Sequence, residues 1–202
     1  TINQYVENEY ANKPHVGETP LEIIKEVLDF SAEAVKEIEA AAPFITKNKE
    51  EFERLRNDMH CIEAMSRSYC AKAEAAMNVI RFRKSGDKAY MIKAIPYLEE
   101  SLRQYKKLEA LTRDTYRYSN SFHGRQQVPW NTVYHWSQLV ERYEQELADF
   151  KKMVADIDKE KLAQGRRANR ANSKPWPAVS FKLLTEGMET YEVKKGAKVF
   201  TD

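Results

Sequence analysis

NKEEFERLRNDMHCIEAMSRSYCAKAEAAMNVIRFRK, residues 48–84, reads as one helix of about 36 residues, on the order of 54 Å long. Asn48 with Glu51 forms a capping box at its start. Phe52, Leu55, Met59, Ile62, Ser66, Tyr69, Ala73, Ala76 and Ile80 then recur at alternating spacings of three and four. That spacing predicts a coiled-coil-like seam along one face. Ser85-Gly86-Asp87 stops and restarts the chain, with Gly86 suited to the left-handed position just past a helix end. Two long helices joined by so short a turn pack antiparallel.

Reading outward from this hairpin, a second long helix spans about residues 87–116, with Met91, Ala94 or Ile95, Leu98, Leu102, Tyr105, Leu108 and Thr112 on its apolar stripe. Pro96 lies inside it and removes a backbone donor, so a kink or break is expected near Ile92 to Ala94. Upstream, Thr19-Pro20-Leu21-Glu22 is a helix start: Thr caps, Pro suits the first turn and Glu22 closes a capping box. That helix carries Leu21, Ile24, Val27 or Leu28, Ala34 or Val35, Ile38 and Ala42 on one stripe, and Pro43 ends it. Residues 1–19 show no period and contain Pro14, which predicts an extended lead-in. Downstream, residues 117–131 break the pattern. A further helix is expected from about 132 to 163, with Val133 or Trp136, Leu139 or Val140, Tyr143, Leu147, Phe150, Val154 and Ile157 inward.

Residues 159–174 hold six basic residues against one acid, and Pro175-Trp176-Pro177 interrupts the chain. Short strand-like runs follow at 179–184, 190–193 and 197–200. The expected organisation is a lead-in at 1–19, a helical bundle at 20–163, a linker at 164–178 and the start of a β-rich neighbouring unit at 179–202. The fold class is mainly α, an elongated antiparallel bundle of three to four long helices with a short β-rich C-terminal segment. The chain starts at Thr1, and the final β unit has nothing after it to pair with, so a piece of a longer protein is expected.

With 42% apolar and 32% charged residues and a net charge of +2, the composition suits charged helix faces and gives no strong pull on nucleic acid or anionic membrane. No apolar run approaches the roughly 20 residues a bilayer span needs. Cys61 and Cys70, nine apart on one helix, point about 180° from each other and lie roughly 13.5 Å apart along the axis. A disulfide needs Cα atoms within about 7 Å, so they do not pair with each other. His60 beside Cys61 is not a zinc site, because adjacent helical residues diverge. No metal or cofactor is expected. The Glu-x-x-His motif of di-iron bundles and the Gly-rich phosphate loop are both absent from the sequence.

The polar stretch between the last two helices is the best candidate site. It gathers Tyr116, Tyr118, Asn120, His123, Arg125, Gln126, Trp130, His135 and Trp136. Aromatic faces stack on sugar CH groups, while amides and guanidinium groups pair with hydroxyls. Tyr118, Asn120, Gln126 and Trp130 are the ligand-binding candidates. The alternative is that these polar side chains satisfy the backbone of an irregular loop while Trp136 packs in the bundle end. The carboxylates Glu50, Glu51, Glu53, Glu99, Glu100, Glu144 and Glu146 each lie near Lys or Arg at helical spacing, such as Glu99 with Arg103, and read as solvated faces. No catalytic residue is assigned. Arg166, Arg167, Arg170 and Lys174 lack interleaved aromatics and read as linker rather than a nucleic-acid contact.

The segments Tyr69-Cys70-Ala71-Lys72-Ala73 to Ser85-Gly86-Asp87, Ala94-Ile95-Pro96-Tyr97-Leu98-Glu99-Glu100-Ser101-Leu102, Leu111-Thr112-Arg113-Asp114-Thr115-Tyr116-Arg117-Tyr118-Ser119-Asn120-Ser121, and His135-Trp136 with Tyr143-Glu144-Gln145-Glu146-Leu147 carry a resemblance. Together they resemble helical modules of large secreted proteins from polysaccharide-degrading bacteria, which sit behind a glycoside-hydrolase-like catalytic domain and ahead of a β-rich one. The resemblance covers about residues 20–150 and brings no catalytic residue with it. It implies a periplasmic or extracellular carbohydrate-processing protein, with neighbouring domains of the same chain as partners. The expected function is a non-catalytic accessory or spacer module. The alternative is a protein- or glycan-binding module using the 116–136 region.

Overall fold

The computed structural model describes residues 1–116 and 135–164, with side chains up to residue 157. Up to Ala163 they belong to one compact unit, Thr1–Ala163. The expected β-rich start at 179–202 lies outside the described residues, as does the linker beyond Gln164. Five α-helices are described: α1 Ile2–Ala11, α2 Pro20–Ala41, α3 Lys49–Ser85, α4 Lys88–Thr112 and α5 Ser137–Gln164, with a 3-10 turn at Ala42–Phe44. The described part is a helical bundle, as expected, and contains no strand.

The cross-helix partners give the packing directions. Asn57 meets the Leu111 carbonyl at 3.2 Å, Glu63 meets Lys107 at 3.1 Å, and Ser68 meets the Ser101 carbonyl at 2.9 Å, so α3 and α4 run antiparallel. Glu39 meets Arg56 while Ile24 meets Cys70, which makes α2 antiparallel to α3. Glu9 pairs with Arg81 and Glu7 with Lys84, so α1 also runs against α3. Lys106 pairs with Glu144, and Glu99 with Lys151 at 2.6 Å, setting α5 antiparallel to α4. The expected Glu99–Arg103 pair is not formed; Arg103 takes Glu100 instead. Helices α1, α2 and α4 thus pack against the 37 residues of α3, and α5 runs along α4.

The seam of α3 differs from the one its large apolar residues suggest. Of the nine residues expected there, only Ile80 is buried, and Leu55, Ile62 and Tyr69 are exposed. The face turned to α4 is Asn57, Cys61, Ala64, Ser68, Ala71, Ala75, Asn78 and Phe82, an unbroken alternation of four and three. Its α4 counterpart is Met91, Ala94, Leu98, Ser101, Tyr105, Leu108 and Thr112, all buried. Small side chains lie where α3 and α4 meet, as where Ser68 Oγ stands 3.1 Å from Ser101 Oγ. A scale that rewards large apolar groups misplaces this face by a third of a turn or more. The second buried face of α3 includes Met77 and Ile80, which close over Val6 of α1.

Residues 2–11 form a helix rather than part of an extended lead-in. Thr1 caps it by accepting from Gln4 N–H at 3.2 Å, and Asn12 ends it in the left-handed conformation. Ten residues are too few for a stable isolated helix. Burial of Val6, worth about 1.5–3 kcal/mol, is what holds it. The Thr19–Glu22 capping box forms as expected, at 2.8 and 3.3 Å. The Asn48–Glu51 box does not: Asn48 sits at φ 52°, and its side chain makes no cap bond. A capping side chain needs extended backbone at that position. On α2 the inward stripe is Ile24, Leu28, Ser31, Val35 and Ile38, while Leu21 and Val27 stay exposed. Of the kink or break expected near Ile92 to Ala94, the break does not occur: helix α4 runs on through Pro96, and Pro96 and Ile92 are both exposed, so the carbonyl freed by the proline is on the solvent side. Helix α5 begins at Ser137 rather than near residue 132.

Glu146 is not on a solvated face. It occupies the buried stripe of α5 between Tyr143 and Phe150, with Lys72 of α3 3.3 Å away. The Lys72 ammonium also stands 3.5 Å from the centre of the Tyr143 ring. Burial outweighs attraction at both ends: it pulls the Lys72 ammonium below its ordinary range and pushes the Glu146 carboxyl above its own. The penalty at Glu146 is therefore absent below the ordinary carboxylate range, grows as pH rises from that range towards the raised value, and is complete above it. Glu146 Oε1 has no hydrogen-bond partner among the described residues, and a cavity of about 10 Å³ adjoins the pair.

Two stability measurements check this packing. Ala64→Leu overfills the seam and is expected to cost about 1–3 kcal/mol in urea denaturation, whereas Ile62→Ala costs less than about 1 kcal/mol. The reverse order would mean that the seam lies on the large apolar face. Lys72→Met alone strands a buried carboxylate and is expected to cost about 3–5 kcal/mol, while Lys72→Met with Glu146→Leu is neutral or stabilising by about 1–4 kcal/mol. A double variant as unstable as the single one would show that the pair is a net stabiliser.

Candidate functional site at the α4–α5 end of the bundle

The candidate region begins where α4 ends and closes where α5 starts. The described residues include its two edges: Tyr116 on one side, His135 and Trp136 on the other. Tyr118, Asn120, Gln126 and Trp130, together with His123 and Arg125, lie outside the described residues.

Beyond Thr112 the chain turns, with Thr115 and Tyr116 N–H both donating to the Thr112 carbonyl, at 3.2 and 3.0 Å. This turn aims the Tyr116 hydroxyl at Asp58 of α3, to which it donates a hydrogen bond. The bond to Asp58, then burial, raise the phenol to about 12, so it stays protonated. Asp58 also adds to the burial that pushes the Cys61 thiol up to about 11. Cys61 is thus held as the neutral thiol, packed against the core cluster. Asp58 sits in a charged helical run with no local mark of this role in the sequence.

On the other edge, the His135 N–H donates to Gln138 Oε1 at 2.7 Å, and the Ser137 N–H donates to His135 Nδ1 at 3.1 Å. A backbone N–H only donates, so Nδ1 is an acceptor, and Nε2–H is left to donate to the Thr112 carbonyl at 3.3 Å. Both ring nitrogens are therefore engaged in closing the ends of α4 and α5. Trp136 is half-buried, packed against the cluster of Ala64, Tyr105, Leu108 and Tyr143. Its ring stands edge-to-face with Tyr116 at 5.9 Å. The expectation that Trp136 packs in the bundle end holds, at the edge of the core rather than within it.

The other described histidines are elsewhere: His15 stacks on Tyr5 at 4.3 Å, and His60 meets Glu39 at 2.7 Å. Glu39 takes both His60 and Arg56. The Arg56 hydrogen bond is the larger cause that holds its carboxyl down at about 2. Among the described residues no group of three or more His, Cys, Asp or Glu is placed to hold a metal ion. No described helix is long and apolar enough to cross a membrane. The described edges offer a frame of aromatic and hydrogen-bonding groups, Tyr116, His135 and Trp136.

Fold and site together describe a helical bundle module with a polar, aromatic-rich connection at one end. No family model matches the chain, and no curated protein matches it. Among solved structures it is similar to a GH138 enzyme targeting pectin rhamnogalacturonan II, with a TM-score of 0.73 and 34% sequence identity. The match covers 79% of this chain and 20% of that one. The helical module is thus glycoside-hydrolase-related, its neighbour is a carbohydrate-active enzyme, and the chain spans about a fifth of that enzyme's length.

The framing role of the edges is measurable. Tyr116→Phe removes a hydrogen bond to a charged group and is expected to cost about 1.5 kcal/mol. Trp136→Ala is expected to cost about 3 kcal/mol, the low end for a large ring because it is half-buried. A Trp136→Ala variant that unfolds at the parent's urea midpoint would show that the ring does not anchor α5.

Proposed function

We propose that this chain is a non-catalytic helical accessory module of a larger carbohydrate-processing protein, working as a structural support for a neighbouring domain of the same polypeptide. The observation that carries this reading is the outward stripe of α2. Ile23, Val27 and Phe30 recur at helical spacing on the face turned away from α3, and Phe30 is 72% exposed. Leu55, Ile62 and Tyr69 leave a second half-exposed apolar line on α3. Apolar side chains aligned on a surface in this way mark a contact. The occupant proposed is another domain of the same chain, because the similar enzyme is about five times longer than the matched portion. The engagement of both His135 nitrogens in helix closure supports a structural rather than a catalytic role for that end of the bundle. The same reading puts the parent protein in the periplasm or outside the cell, where polysaccharides are met.

A second reading is a glycan contact through Tyr118, Asn120, Gln126 and Trp130, supported by the fixed aromatic frame of Tyr116 and Trp136. In that case Trp130→Ala abolishes binding without loss of stability.

The test compares this chain with its full-length polypeptide. Phe30→Asp is expected to change the stability of this chain by no more than about 0.5 kcal/mol, because the side chain is exposed. In the full-length polypeptide it is expected to lower the melting temperature or split the transition in two. An unaffected full-length protein would remove the docking role. Turnover of chromogenic glycosides by this chain alone, lost on His135→Ala, would overturn the non-catalytic reading.

A further inference from the structure

Helix α3 carries two heptad lines, and the described helices cover only one of them along its whole length. The line toward α4 runs from Asn57 to Phe82 and is filled by Met91 to Thr112. The other line holds Leu55, Met59, Ile62, Ser66, Tyr69 and Ala73, again at an unbroken alternation of four and three, with Ile80 one heptad beyond Ala73. A helix makes about five whole turns in 18 residues, so Leu55 shares one side with Ala73, and Ile62 with Ile80. None of these residues is charged, and Leu55, Ile62 and Tyr69 are exposed.

Both sides of this line are occupied. On one side stands α5, where Tyr143 packs with Ala64 and Glu146 meets Lys72. On the other stands α2, with Ile24 opposite Cys70 and Glu39 opposite Arg56. Glu39 sits on the flank of α2 nearer α4, where it also reaches His60. Ile23, Val27 and Phe30 lie on the opposite flank of the α2 inward stripe, so they overlook the back of α3 between Ile62 and Tyr69. Floor and wall together form one apolar trough. Its outer border is acidic: Glu26, Glu33 and Glu37 follow the α2 stripe, and Pro20–Ala41 holds six carboxylates against two lysines.

The far end of the same line shows what it accepts. There Val6 of α1 packs on Ile80 and Met77, and α1 is a helix of 10 residues. The line therefore takes a helix where it is already closed. Alternating three-and-four spacing sustained along the floor is the pattern that receives helix knobs, and Ser66 and Ala73 leave room for close approach.

We propose that the open stretch from Leu55 to Ala73 seats a single amphipathic helix from a neighbouring domain of the same polypeptide, about five turns long. Its apolar stripe lies on the α3 line, and its Lys or Arg side chains face Glu26, Glu33 and Glu37. This rests on the accessory-module reading above and adds to it the form and charge of the docked element.

Photo-crosslinking in the full-length polypeptide tests it. Leu55 or Tyr69 is replaced singly by p-benzoylphenylalanine; both positions are exposed, so the melting temperature of this chain is expected to stay unchanged. The two positions are 14 residues apart on α3, about 21 Å. They are expected to label the neighbouring domain at two points about 14 residues apart, because a packed helix has the same rise. A strand spanning that distance would be labelled about six residues apart. Glu26→Gln, Glu33→Gln and Glu37→Gln together are expected to lower both yields at least about threefold. Labels about six residues apart, labels within residues 117–134 or on a second copy of the polypeptide, no label, or yields unaffected by the triple variant would each overturn the proposal. Strand-spaced labels in a protein that Phe30→Asp destabilises would leave domain docking standing and remove only the helix; no label and an unaffected Phe30→Asp protein would remove both.

Discussion

Small side chains where α3 faces α4 are the constraint on which the rest of this bundle depends. Ala64, Ser68, Ala71 and Ala75 fill the middle of that face, and Ser68 bonds to both the carbonyl and the hydroxyl of Ser101. A hydroxyl pair inside a seam is satisfied only at one register, so this contact also fixes how far the hairpin slides. With α3 committed to α4 on its small face, other faces are left for α1, α2 and α5. The large residues Leu55, Ile62 and Tyr69 then fall on a side that no described helix fully covers.

The Lys72–Glu146 pair does for α5 what the serines do for the hairpin. Two charges in an otherwise apolar stripe cost desolvation, and the pull on both groups away from their ordinary ranges registers that cost. Any slip of α5 by one turn would strand Lys72 in the core without its carboxylate. Surface pairs such as Glu99–Lys151 point to the same register, but each is worth little by itself. A helix whose apolar residues alone would tolerate several registers is thereby held in one.

The proposed supporting role rests on the relation to a GH138 enzyme, the uncovered apolar stripe on α2 and the engaged His135 ring. A polar groove lies between α1, α3 and α4. Its guanidinium, that of Arg81, is held by Glu9, and Tyr10 donates to the Arg81 backbone carbonyl.

Local rules in the sequence determined much of this protein. The Thr19 capping box, the Gly86 stop, the lengths of α2 and α3 and the α4 stripe from Met91 to Thr112 all follow from hydrogen bonding and periodicity within a few residues. The capping signal at Asn48 misled because the same residue type also suits a left-handed turn. Tertiary structure alone decided the rest. Helix α1 is too short to persist without the pocket that receives Val6. The α3 seam was hidden because packing distance, and not side-chain hydrophobicity, selects its residues. Glu146 and Asp58 carry no local mark, because a carboxylate's role depends on which helix lies opposite. The polar groove was equally invisible: its six residues are separated by up to 84 positions and meet only when three helices converge.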